Sequence, residues 1–63
     1  MWTKVAERKP IEGVIVDTKV DDGNGKPRNE AKLIFRFGMW WHSDGKMYVY
    51  YTPTHWKDLN DWG

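Results

Sequence analysis

Met39-Trp40-Trp41-His42-Ser43-Asp44-Gly45-Lys46-Met47-Tyr48-Val49-Tyr50-Tyr51 is the stretch whose reading decides the fold. Two aromatic-rich runs flank an Asp-Gly pair. That pair is a favoured hairpin connection, because a two-residue type I′ turn needs positive φ at both central positions. With Asp44-Gly45 as the turn, Trp41 faces Tyr48 and Trp40 faces Val49. Aromatic cross-strand pairs of this kind contribute about 0.2–1 kcal/mol each relative to Ala–Ala.

Upstream, Ala31-Lys32-Leu33-Ile34-Phe35-Arg36-Phe37 carries Ala31, Leu33, Phe35 and Phe37 on one face, alternating with Lys32, Ile34 and Arg36. This period of two marks a strand. Gly38 interrupts it and reads as a bulge inside one strand spanning 31–42. Such a bulge puts Trp40 on the side of Phe35 and Phe37 and leaves Trp41 opposite. Asp21 to Glu30 holds Gly23, Gly25, Pro27 and two Asn with no apolar residue, and is expected to be a mobile polar loop. Before it, Val14-Ile15-Val16-Asp17-Thr18-Lys19-Val20 is β-branched and alternating, a strand over 13–20 with Val14, Val16, Thr18 and Val20 facing inward.

Downstream of the Asp-Gly turn, a third strand is expected over 46–52. It stops at Pro53, which cannot donate to an inner ladder. His55 to Leu59 forms a closing strand or single turn, and 60–63 is a tail expected to fray. Trp2 and Val5 offer an edge pairing. Nothing has helical periodicity, and no repeat appears.

The chain's 63 residues allow one domain, 1–63. A domain of this size buries only about 60% of its unfolded surface and needs some further source of stability. With no cysteine, disulfides and Cys-based zinc sites are excluded. Five Trp, three Tyr and two Phe take their place, since one large ring buries about 150–250 Å². The sequence therefore predicts an all-β fold. It is a small antiparallel meander of three main strands, 13–20, 31–42 and 46–52, with short edge strands from both ends. SH3-like barrel closure is favoured, and an open sheet dimerising through an aromatic face is the alternative.

Ten basic and nine acidic residues leave a net charge of +1, so composition demands no acidic partner. No apolar run is long enough to span a membrane. The first ten residues lack the apolar core of a secretory signal. A cytoplasmic protein is the simplest expectation.

Catalytic and metal chemistry find little purchase. His42 and His55 are the only histidines, and tetrahedral zinc spacing is absent, so no metal site and no cofactor are expected. His42 and Ser43 are adjacent, and strand neighbours point to opposite faces, which argues against a dyad. Gly23-Asn24-Gly25-Lys26 is not a phosphate loop: Pro27 follows the lysine where Ser or Thr belongs, and no helix follows. Lys26 also stands where a calcium loop needs an oxygen ligand. No catalytic residues are assigned, and an enzyme is not expected.

Three motifs stand in order along the chain: Trp2, Val5, Arg8 and Pro10 as W-x-x-V-x-x-R-x-P; Gly13, Val14 and Val16 as a strand start; and Thr54-His55-Trp56 followed by Leu59. Together they resemble a family of short phage- and prophage-encoded proteins of unknown function. The family pattern has Leu where Lys9 stands here and Pro where Asp58 stands. The resemblance implies a mobile-element origin and a compact β fold, and supplies no activity. On physical grounds Trp2 and Trp56 are read as packing residues that dock the two ends together.

The candidate site is an outer aromatic face. With Phe35 and Val49 inside, Tyr48 and Tyr50 are left on the opposite face with Trp41, beside Arg36, Lys32 and Lys46. Tyr and Trp are enriched in interface hot spots, and the preferred partner is a host or phage protein. Rings beside Lys and Arg also suit single-stranded nucleic acid, and a homodimer through the same rings is a third option.

Overall fold

The fold turns on residues 37 and 38. In a computed structural model, which describes residues 1–23 and 25–60, Phe37 and Gly38 both have positive φ, 54° and 74°. Arg36 pairs directly with Met39. The segment expected as one bulged strand is therefore two strands joined by a two-residue hairpin turn. This corrects the 31–42 reading. Two successive positive φ angles define the turn whose twist matches flanking strands, and Gly38 adopts its angle without steric cost. Phe37 is held there by its surroundings: its N–H donates to Glu12 Oε1 at 2.8 Å, and the Arg36 guanidinium lies 5.5 Å from its ring centroid.

Five strands result: β1 (Thr3–Lys4), β2 (Ile15–Val20), β3 (Arg28–Arg36), β4 (Met39–His42) and β5 (His55–Asp58). They form one antiparallel sheet in the order β1-β5-β2-β3-β4. The sheet is open. Its edges β1 and β4 do not pair with each other among the described residues, so the SH3-like closure is not seen. No helix among the described residues is long and apolar enough to cross a membrane.

The strand expected over 13–20 appears as β2 from Ile15, with Val16 and Thr18 each 1% exposed on its inner face; Val14, expected inside, precedes the strand and is exposed. Strand β3 starts at Arg28, so the polar loop is shorter than the 21–30 expected. Between the pairs Thr18↔Ala31 and Val20↔Arg28 the register shifts. Asn29, at φ 55°, accommodates the extra residue as a bulge. The third main strand expected over 46–52 does not form. Only Tyr48 makes a bridge, to Trp41, and Val49 N–H donates to the Trp40 carbonyl at 2.8 Å. Beyond Val49 the chain must leave β4, because β5 lies on the far side of both β3 and β2.

That crossing covers the core. Val5, Val16, Leu33, Trp40 and Trp56 are buried on one face of the sheet, and Val49, Tyr51, Phe35 and Ala31 pack against them. Phe35 and Trp40 sit opposite each other across the hairpin, ring centroids 5.1 Å apart. Leu33, at the centre, has no exposure. Thr18 is the buried polar group, and its hydroxyl donates to the Ala31 carbonyl at 2.9 Å, which satisfies it.

The two chain ends meet as the sequence motifs suggested. Thr3 pairs with Trp56 and Lys4 with His55. Val5 N–H donates to the Thr54 carbonyl at 2.9 Å. The Trp56 indole N–H donates to the Arg8 carbonyl at 2.7 Å, with the Arg8 guanidinium 5.4 Å from its ring centroid. The Thr54 hydroxyl accepts the Asp21 N–H at 2.7 Å and lies 2.7 Å from His55 Nδ1. Thus Thr54-His55-Trp56 fastens β5 to both β1 and the end of β2. The tail reading falls largely on 61–63, outside the described residues.

A left-handed conformation costs a residue with a Cβ about 1–2 kcal/mol, less for Asn. Phe37 is 78% exposed, so little packing is lost on removing its ring. Phe37→Asn is therefore expected to raise stability by about 1 kcal/mol, read as a higher midpoint in urea unfolding. An unchanged or lowered midpoint would contradict the turn.

Candidate functional site: an aromatic and basic outer face

The register that fills the core also fixes what faces away from it. Ile34 pairs with Trp41, Arg36 with Met39, and Ile15 with Ile34, so these five side chains share the outer face. Trp41 is half-buried there. Tyr48, opposite Trp41, packs edge-on against it with centroids 6.0 Å apart. Tyr50 stands edge-on to Tyr48 at 5.4 Å. Tyr48 is 42% and Tyr50 84% exposed. The Asp-Gly segment secures this end of the cluster: Gly45 N–H donates to the His42 carbonyl at 2.8 Å, and His42 N–H to Met47 at 2.8 Å.

Arg36 is the charged centre. Its guanidinium lies 4.7 Å from the Trp41 centroid and 5.5 Å from that of Phe37, within cation–π range. Its Nη2 makes a long bond to the Gly45 carbonyl, 3.4 Å. In the other direction, the Trp41 indole N–H donates to the Arg36 backbone carbonyl at 3.0 Å. Trp41 and Arg36 therefore fix each other through both ring and backbone. Arg36 Nε is buried without a hydrogen-bond partner.

Of the residues expected at the site, Trp41, Tyr48, Tyr50 and Arg36 come together. Lys46 follows Gly45, whose carbonyl meets Arg36. It lies in the turn after β4, where its N–H is held by Asp44 Oδ1 at 2.9 Å. Lys32 lies farther along the sheet, 3.8 Å from Asp17. The sequence reading placed Phe37 inside, and the turn instead leaves it exposed beside Arg36. It also missed Trp2 as a surface element. The Lys19 and Lys57 ammonium groups lie 4.5 and 4.9 Å from the Trp2 ring centroid. Because Lys19 and Lys57 reach out from β2 and β5 on the outer face, Trp2 belongs to that face as well. No sequence signal ties these three residues, which are brought together only by strand pairing.

His42 and His55 lie on β4 and β5, with β3 and β2 between them. No group of three or more metal-ligating side chains occurs among the described residues. A shallow groove of 290 Å³ beside β4 is lined by Met39, Tyr48 and Tyr50, among others.

No protein-family model matches the chain, and no curated protein or solved structure is significantly similar to it. Function has to be argued from the face itself.

The two sides of the hairpin differ in what they contribute to folding. Truncating a buried Trp costs about 3–5 kcal/mol, comparable to the whole stability of a domain this small. Trp40→Ala is expected to abolish cooperative unfolding. Tyr50→Ser, on the outer face, is expected to change stability by less than about 0.5 kcal/mol. Circular dichroism during thermal unfolding measures both, and equal losses would show that the rings are not divided this way.

Proposed function

We propose that this chain is a small binding module that recognises a protein partner through the Trp41–Tyr48–Tyr50 cluster. The observation that carries the reading is the leftover apolar surface. The core is filled without Tyr48, Tyr50, Phe37 or Met39, yet these side chains gather around Trp41 and Arg36 on one face. Contiguous apolar surface costs solubility in a free monomer and marks an interaction site. Aromatic side chains with an Arg among them match the composition of interface hot spots. The resemblance of Trp2, Val5, Arg8, Pro10, Thr54, His55 and Trp56 to phage-encoded proteins supports an accessory role in a host cytoplasm.

Single-stranded nucleic acid is a second reading, favoured by the basic side chains beside these rings. Against it, Trp2 and Trp41 already carry a cation over the ring, so neither presents a bare face for a base to stack on. Tyr50, at 84% exposed, is the most open ring of the cluster.

Immobilised protein and its Tyr48→Ser/Tyr50→Ser variant test the reading side by side, with nuclease-treated host extract. Retention of a defined protein by the parent, lost in the folded variant, is the expected outcome. If every retained protein binds the folded variant equally well, the face is not the site.

A further inference from the structure

The chain is nearly neutral, but its charge is not evenly placed. Strand alternation and register put Lys4, Lys19, Lys32, Arg36 and Lys57 on the outer face, half of the ten basic residues, against Asp17 and Glu30 from the nine acidic ones. Two of the lysines have carboxylates nearby: Lys19 lies 3.5 Å from Asp21 and Lys32 3.8 Å from Asp17. Arg36 and Lys57 have no carboxylate within ion-pair distance among the described residues. Each leans on an indole instead, Arg36 on Trp41 and Lys57 on Trp2.

We propose that the segment docking on this face is acidic, an extended peptide whose carboxylates meet Arg36 and Lys57 while an apolar side chain rests on the Trp41–Tyr48–Tyr50 cluster. The proposal rests on the protein-binding reading and names the chemistry of the partner. Three features support it. A half-buried guanidinium is desolvated on one side, and among the described residues it has no counter-charge, only a long bond to the Gly45 carbonyl, so an incoming carboxylate gains a charge-assisted hydrogen bond without having to displace another carboxylate. An indole beneath a cation holds it in place, and the cation's outward side is left to bind an anion. The two cations also stand on a diagonal of the outer face: Lys57 is level with Lys32 through Asp17, and Arg36 lies four residues farther along β3, so two strand spacings of about 4.8 Å and four rises of about 3.3 Å separate them by about 16 Å. That span suits an extended segment of about five residues.

Two capped hexapeptides test this: one alternates Glu with Leu and Phe, and its twin has Gln at each Glu. Binding is followed by amide and indole NMR shifts at about 20 mM and again at about 200 mM salt. The acidic peptide is expected to shift Trp41, Tyr48 and Trp2 and to bind about tenfold more tightly than the Gln twin at low salt. The preference is expected to shrink at high salt. Arg36→Gln and, separately, Lys57→Gln are each expected to reduce it several-fold; Lys57 is not in the core, so its variant remains informative if Arg36→Gln unfolds. Equal binding of the two peptides through the same rings would overturn the acidic preference and leave the docking face standing. Failure of both peptides to shift this face would overturn the acidic preference by itself, and extract retention by the parent but not by Tyr48→Ser/Tyr50→Ser would still uphold the face. Displacement of the acidic peptide by a twelve-nucleotide oligothymidine that binds more tightly would overturn the proposal in favour of nucleic acid.

Discussion

The Phe37-Gly38 turn is the constraint on which the rest of the structure depends. A two-residue reversal fixes Arg36 opposite Met39, and from that one pair the whole β3–β4 register follows. Phe35 then meets Trp40 over the core, and Ile34 meets Trp41 on the other side. Because side chains alternate, a slip of one residue would exchange the two sets. Trp40 would go to solvent and Trp41 into a space already shaped for another ring. Adjacent tryptophans with opposite fates are thus a consequence of turn length. The cost is a phenylalanine held at φ 54°, which the Glu12 carboxylate and the neighbouring guanidinium hold in place.

The second constraint is topological. β5 joins the sheet beside β2, although it follows β4 in the chain. Residues 49–53 must therefore pass over the sheet, and in passing they roof the core with Val49, Tyr51 and Pro53. The same passage prevents a long third strand and brings Thr54 to the end of β2. There its hydroxyl and backbone carbonyl tie together Asp21, His55 and Val5. A small cysteine-free domain thus gains its cohesion from an aromatic core closed by a strap and a joint between its two ends.

Much of this was legible in the sequence. Alternation gave β2 and the burial of Val16 and Thr18, because burial on one side of a sheet writes a period of two, but it also counted Val14, which lies before the strand and is exposed. Asp44-Gly45 gave the true pairing of Trp41 with Tyr48, although Gly45 alone takes positive φ there. The Phe37-Gly38 reversal was misread as a bulge, since a bulky residue in a left-handed conformation is disfavoured and no local preference announces it. Arg28 to Glu30 looked like loop because polar residues carry no burial pattern, and backbone pairing with β2 made them strand. Trp41, Tyr48 and Tyr50 were expected on one face from alternation, and they do gather, although the 46–52 strand behind that expectation does not form. Trp2 was not expected there, because its lysine neighbours come from strands far apart in sequence. The segregation of charge was equally hidden, because composition averages over faces that only the register separates.

The most direct test of the division of rings is the backbone of the turn in solution. Nuclear Overhauser contacts and three-bond couplings on labelled protein measure it. Cross-strand contacts between Arg36 and Met39 and between Phe35 and Trp40, with positive φ at Phe37, are the expected result. Purely sequential contacts through residues 36–39, with Phe37 at negative φ, would mean a single bulged strand and would contradict the fold and the outer face derived from it.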